Sequence, residues 1–244
     1  MDAPRIVVSR PRWVTSLVWT VPPAAGAAAG WLLVRAAGWL LDLRWLPLRL
    51  VFRLIHAVPE PAATLGALAL GGVAGLALSY AAHRDSLTVA VDWDVVATSR
   101  PGGEPNSRAR RAVAAAFLDG KDLVLLGPDG AELTREACDL DAGPLAAAFT
   151  ARGYPWRPDG DPFADAYRRW VPGEPALPVG ADALFSARER AQRAGESADV
   201  AELRGELARL GVVVRDANRR QYWRLTGPAE PRAEPPATRP SSRP

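Results

Sequence analysis

VTSLVWTVPPAAGAAAGWLLV, Val14 to Val34, runs for 21 residues without a charge, and PAATLGALALGGVAGLALSYAA, Pro61 to Ala82, does so for 22. About 20 apolar residues at a rise of 1.5 Å each cross the roughly 30 Å hydrocarbon layer of a bilayer, so both runs are long enough to span it. A cleaved signal peptide is the rival reading of the first run, since small residues cluster at Ala24 to Ala29. That run exceeds the usual signal core, however, and a second run follows it. Each contains small residues four apart, Gly26 and Gly30 in the first, Gly71 and Gly75 in the second. Such pairs let helix backbones approach closely, within one hairpin or between two copies of the chain. Pro22-Pro23 removes two backbone donors and predicts a kink or local break in the first helix.

Between the runs, residues 35–60 carry Arg44, Arg49 and Arg53, with His56 continuing the helical spacing and Trp39 and Trp45 preceding it. This pattern predicts an interfacial helix with its arginines turned toward anionic lipid. A snorkelling loop is the alternative. Two spans place both termini on one side. Four arginines (Arg5, Arg10, Arg12, Arg84) then lie with the termini and four (Arg35, Arg44, Arg49, Arg53) in the connection, so charge alone sets no orientation.

The 244 residues include 30 basic and 27 acidic side chains, and the first third holds the imbalance. Residues 1–84 have eight Arg against three acidic groups, whereas residues 85–244 have 22 basic against 24 acidic. A plain soluble globule and a charged disordered chain are both excluded by that asymmetry. Cys138 is the only cysteine, and His56 and His83 are the only histidines. An intramolecular disulfide is impossible, and neither a Cys/His zinc site nor a histidine-based triad has enough members. The sequence therefore predicts no metal, no cofactor and no enzymatic centre.

From Asp85 the pattern changes to short alternating runs. Leu87 to Val91, Val95 to Thr98, Ala112 to Leu118, Leu123 to Leu126 and Glu132 to Arg135 read as strands, with Gly127-Pro-Asp-Gly130 as a hairpin turn. Asp139 or Asp141 would cap a helix running to about Ala151, with Leu145, Ala148 and Phe149 on one face. A small antiparallel sheet or half-barrel closed by a helix is similar in shape to the pleckstrin-homology-like (PH-like) domains found beside bacterial membrane spans. Residues 158–177 are rich in proline and aromatics and read as a linker. The aromatics and arginines from Arg152 to Trp170 would either pack one module on the next or stack on bases. Two helices follow, Pro178 to Arg193 and about Ala198 to Leu210, the second with Val200, Leu203, Leu207 and Leu210 on one stripe. Gly211 suits the position after the helix end. Val212 to Val214 and Gln221 to Arg224 would pair across a turn at Arg215 to Arg219, and residues 227–244 read as a disordered tail.

Two resemblances rest on motifs within this frame. Ala201-Glu-Leu-Arg204, Gly211-Val-Val-Val-Arg-Asp216 and Trp223-Arg224 make residues 187–224 resemble the C-terminal module of cysteinyl-tRNA synthetases. The match departs at Ala194 to Ser197, Glu202 and Arg220, and no synthetase catalytic domain accompanies it. Residues 13–226 also resemble the bacterial YqeB family, through Pro59-Glu-Pro61, Phe117-Leu-Asp-Gly-Lys121, Gly153-Tyr-Pro-Trp156 and Arg220-Gln-Tyr-Trp-Arg224. The first resemblance implies an RNA-facing module, and both imply a cytoplasmic soluble portion.

The chain is thus expected to be a membrane-anchored α+β protein. Its parts would be a transmembrane hairpin over 1–84, a β-rich domain with closing helix over 85–157, the linker, and a helix pair with β hairpin over 178–226. Its expected place is the bacterial cell membrane and its expected role non-enzymatic binding or scaffolding of a protein partner. RNA binding would use Arg188, Arg204, Arg215, Arg219, Arg220 and Trp223, through phosphate pairing and stacking. Lipid would meet Arg44, Arg49 and Arg53, which would also serve a lipid-surface sensor. A transporter component would need oligomers built on Gly26, Gly30, Gly71 and Gly75.

Overall fold

The computed structural model describes residues 5–41 and 62–227. Arg44, Arg49, Arg53 and His56 of the expected interfacial segment lie outside the described residues, as does the expected tail from 228 on. The described residues form two compact units. One comprises the chain up to Ala90 with Ala97–Ser107 and Asp139–Asp141, and the other Val91–Val96, Arg108–Cys138 and the chain from Ala142.

Helix α1 (Arg12–Leu41) and helix α2 (Ala62–Arg84) dominate the first unit and pack against each other. Alanine and leucine favour the helix, and both helices are long and apolar enough to cross a bilayer. Their contact is backbone on backbone. A Cβ added to Gly26 would fall on the Gly71 carbonyl, 2.9 Å from its carbon, and one on Gly71 would lie 2.6 Å from the Gly26 carbonyl carbon. A Cβ on Gly30 would lie 2.8 Å from the Ala67 carbonyl carbon. Glycine is required at these positions for space, and the approach permits Cα–H···O contacts.

Of the kink or local break expected at Pro22-Pro23, the break does not occur, for α1 runs through both prolines. Gly75 faces them, and a Cβ there would lie 2.6 Å from Pro23 Cα, so the absent side chain leaves room for the proline backbone. The Thr20 hydroxyl donates to the Ser16 carbonyl at 2.9 Å, one turn before the prolines.

Strands β1 (Ile6–Val8), β2 (Thr88–Val91), β3 (Val95–Ser99) and β4 (Asn106–Ala109) form a four-stranded sheet in that order. Neither β1 nor β4 was expected. β1 has only three residues, and β4 (Asn-Ser-Arg-Ala) has no buried residue to advertise it. Asp139, read as a helix cap, instead pairs with Arg10 and accepts from the Leu87 amide at 3.5 Å.

A second, antiparallel sheet comprises β5 (Ala115–Asp119), β6 (Asp122–Leu126) and β7 (Glu132–Ala137). Ala112, expected at the start of the first of these strands, lies instead in a 3-10 turn over Arg110–Ala112. Ala115, Phe117, Val124 and Leu126 build the core on one face, with Phe163 packed on it. Helix α3 (Ala142–Ala151) buries Leu145, Ala148 and Phe149, the face read from the sequence. Phe149 meets the Tyr154 ring edge-on at 5.6 Å and Trp156 at 5.5 Å. The strand-rich middle of the chain is therefore built from sheets and a following helix, as expected, with its strands divided between two sheets.

The chain then adds β8 (Arg168–Arg169), helices α4 (Ala181–Ala194) and α5 (Ser197–Arg209), and strands β9 (Val212–Ala217) and β10 (Arg220–Leu225). The antiparallel sheet order is β8-β10-β9. The residues read as linker thus supply an edge strand, and Trp170 stacks on Phe185 at 5.4 Å in a core with Leu207, Val212, Val214 and Trp223. Gly211 has φ +73, so the α5 exit uses the left-handed position expected for it. The turn at Arg215 to Arg219 narrows to Asn218 and Arg219, both at positive φ, because β9 continues through Ala217.

Replacing Gly71 with leucine should destabilise the helix pair by about 1–3 kcal/mol or more through overpacking. Gly72 has nothing within 4 Å of its added Cβ, so Gly72→Leu should stay within about 0.5 kcal/mol. Thermal unfolding of the solubilised full-length variants makes the comparison.

Candidate functional site

The most heavily connected polar cluster lies in the second unit and joins β5–β7 to α4, α5 and β9. It starts from a repulsion. Asp119 and Asp122 sit opposite each other across the β5–β6 turn, and like charges at directly paired positions oppose hairpin formation. Arg135 on β7 resolves it by donating to Asp122 at 2.9 Å and to Asp119 at 3.1 Å. The same guanidinium holds Glu132 through Nε at 2.9 Å and Nη2 at 2.7 Å. Burial alone would lower the Arg135 pKa. The Glu132 and Asp122 bonds and the Asp119 charge outweigh that and hold it above its ordinary value.

Three arginines extend the cluster. Arg215 on β9 donates to Asp119 at 2.6 Å, and Arg204 on α5 donates to Glu132 at 2.9 Å. Arg204 also lies 3.5 Å from Asp216, which Arg188 on α4 grips with two bonds at 2.8 and 2.6 Å. Gln192 donates to Asp216 at 3.1 Å, and Gln221 accepts from Arg188 at 2.8 Å. Four arginines thus meet four carboxylates in one chain of ion pairs. Burial lowers the Arg204 pKa; Glu132 raises it, while Arg135 and Arg188 lower it further. For Asp216, burial raises the pKa, but the Arg188 hydrogen bonds and charge, Gln192 and Arg204 carry it below the usual carboxylate value.

A second clasp binds β10 and the residues just after it to the β6–β7 turn. Arg224 donates to the Gly130 carbonyl at 2.6 Å and lies 4.1 Å over Phe163 and 5.4 Å over Tyr167. Gly130 has φ +73, and a Cβ there would lie 2.7 Å from the Gly227 carbonyl oxygen. Burial, with Asp161 nearby, pushes the Tyr167 phenol up to about 12. The Arg152–Trp170 aromatics follow the packing alternative here, with Arg152 4.9 Å over Trp93 and Tyr154 buried.

The six residues singled out for RNA contact differ in burial and in partners. Arg188 is only 1% exposed and committed to Asp216, and Trp223 is 3% exposed within the core. Arg204 and Arg215 are partly exposed but ion-paired to Glu132, Asp216 and Asp119. Arg219 and Arg220 remain exposed on the β9–β10 turn. A charged helix face looks alike whether water or a folded neighbour covers it, so periodicity offered no warning. The unrecognised members were Asp119, Asp122, Glu132, Arg135 and Asp216. Their one sequence signal was the pair of aspartates flanking Gly120-Lys121, which demands a cation from elsewhere. No group of three or more His, Cys, Asp or Glu among the described residues is placed to hold a metal ion.

The profile of the YqeB-like bacterial PH domain matches residues 6–157, and that of the cysteinyl-tRNA ligase anticodon binding domain matches residues 174–224. "Uncharacterized protein YqeB" of Bacillus subtilis (strain 168) is 39% identical over 199 residues, which cover 82% of each chain. No solved structure matches the chain.

Asp216→Asn should cost about 2–4 kcal/mol, because it leaves Arg188 buried without its counter-charge, while partial exposure of the carboxylate limits the loss. Since folding lowers the Asp216 pKa, its contribution is complete above about pH 4 and declines as pH falls below the unfolded value. Denaturant unfolding across pH 3–6 should show that decline in the parent and a smaller one in Asp216→Asn.

Proposed function

This chain belongs to the YqeB-like bacterial PH domain family, and on that premise we propose that it is an integral protein of the bacterial cell membrane acting as a non-enzymatic binding or scaffold protein. The observation that carries the membrane reading is the outer surface of the helix pair. Leu70 is 74% exposed and Leu65 63%, and Trp31, Leu32, Leu33, Val73, Leu76 and Leu78 are exposed beside them. A soluble protein's apolar core helix would be covered, since each such side chain left in water forfeits about 1.5–3 kcal/mol of burial energy. In lipid the exposure costs nothing, and close glycine packing supplies the helix contact. A cytoplasmic position for the soluble portion is supported by the similarity of residues 174–224 to part of a tRNA ligase, an enzyme of the cytosol.

The scaffold reading is supported by the ionic cluster and the clasp at Gly130, which fasten the ligase-like module to the β5–β7 sheet. A presenting platform needs such rigidity.

RNA binding is the second reading, favoured by the same similarity. It retains Arg219 and Arg220 as its free cations among the six residues singled out, and neither has an aromatic from that set to stack beside it. The solubilised full-length chain at micromolar concentration should show no salt-dependent tRNA retention on filters. Retention that falls steeply with salt would establish the RNA reading instead.

Membrane anchoring is tested by fractionation. The chain should stay in carbonate-washed membranes and leave only with detergent, and a reporter fused after Pro244 should be active in its cytoplasmic form. Recovery in the supernatant without detergent would overturn the anchor.

A further inference from the structure

A cleft of about 260 Å³ lies in the first unit, where α1 begins and α2 ends. Its polar wall includes Ser9, Arg10, Arg12, Thr15, His83 and Ser86, and no carboxylate lines it. Arg10 is engaged by Asp139 and donates to the Ala82 carbonyl at 3.4 Å. Arg12 has no ion-pair partner among the described residues and opens α1, where the helix dipole adds partial positive charge. Val18, Trp19, Leu87 and Pro101 give the cleft its apolar lining, and the Trp19 indole lies 5.8 Å from the His83 ring.

We propose that this cleft binds a phosphate group, that of an anionic phospholipid headgroup. Arg12, the Ser9 and Thr15 hydroxyls and the positive helix end match the charge and hydrogen-bond demand of a phosphodiester. The placement selects lipid over a soluble phosphate. Trp19 lies seven residues along α1 from Arg12, about 10 Å deeper along the helix axis, so an acyl chain can follow the apolar lining while the phosphate stays at the helix end. Trp and cations at this depth suit a membrane interface. The inference rests on the membrane reading above, because a helix pair in water would present no lipid to this end.

The test is native mass spectrometry of the full-length chain in detergent, titrated separately with phosphatidylglycerol, phosphatidylcholine and inorganic phosphate. Phosphatidylglycerol should bind in preference to phosphatidylcholine, and Arg12→Gln should lower its affinity about fivefold. Arg169→Gln, at an exposed arginine of β8, should leave it unchanged. Ser9→Ala should weaken it as well, in a position where folding is not at stake. Inorganic phosphate binding that depends on Arg12, without lipid preference, would keep the anion site but overturn the headgroup assignment. Equal binding of the two lipids, or equal loss in Arg12→Gln and Arg169→Gln, would overturn the proposal altogether. Carbonate-washed membranes from the same cells separate the two failures. A chain that stays anchored but shows no Arg12-dependent binding sinks the cleft alone, whereas a soluble chain sinks the anchor.

Discussion

Glu132 and Asp216 decide how the second unit is assembled. Each carboxylate holds arginines from different elements, Arg135 and Arg204 for Glu132, Arg188 and Arg204 for Asp216. Arg204 is the shared member and sits close to two other guanidiniums, so it depends on both acids for compensation. Buried ion pairs of this kind add little net stability compared with apolar packing, but removing one partner strands the other in a medium that cannot solvate it. The apolar core of Trp170, Phe185, Leu207 and Trp223 makes the last module compact. The charges add a geometric requirement, since the last module meets β5–β7 where Arg204 finds Glu132 and Arg215 finds Asp119.

The first unit obeys a different constraint. Helices α1 and α2 approach until backbone meets backbone at Gly26, Gly30, Gly71 and Gly75, and side-chain volume at these positions is the limiting quantity. Pro22 and Pro23, which would interrupt an isolated helix, pass beside Gly75 within the same contact. Apolar side chains remain on the outside. The helix pair thus places its apolar surface outward and its small residues inward, whereas the second unit has a conventional core sealed by charge.

Much of the architecture was legible because its signals are local. Leu145, Ala148 and Phe149 recur at helical spacing and are buried together. Gly127 to Gly130 carries turn chemistry and connects β6 to β7, and Gly211 takes the conformation for which glycine is suited. The misread features depend on distant partners. Asp139 looked like a helix cap because its partner Arg10 lies 129 residues away. Residues 158–177 looked like a linker because β8 has two residues and becomes a strand only beside β10. Arg188 and Trp223 looked like contact residues because an arginine or tryptophan in a polar helix or strand carries no mark of what covers it.

The amino-acid sequence alone determined two apolar helices of bilayer length with glycines four residues apart, a strand-rich middle, and a helix pair ending in a hairpin. Each follows from backbone propensity and hydrophobic spacing over a few adjacent residues. Tertiary structure alone decided which glycines touch, that the double proline stays helical, and that Arg204 and Arg215 reach acids on another sheet while Arg188 turns to Asp216. Those outcomes depend on the free volume and compensating charge that a neighbouring element brings, quantities that no local stretch of chain contains.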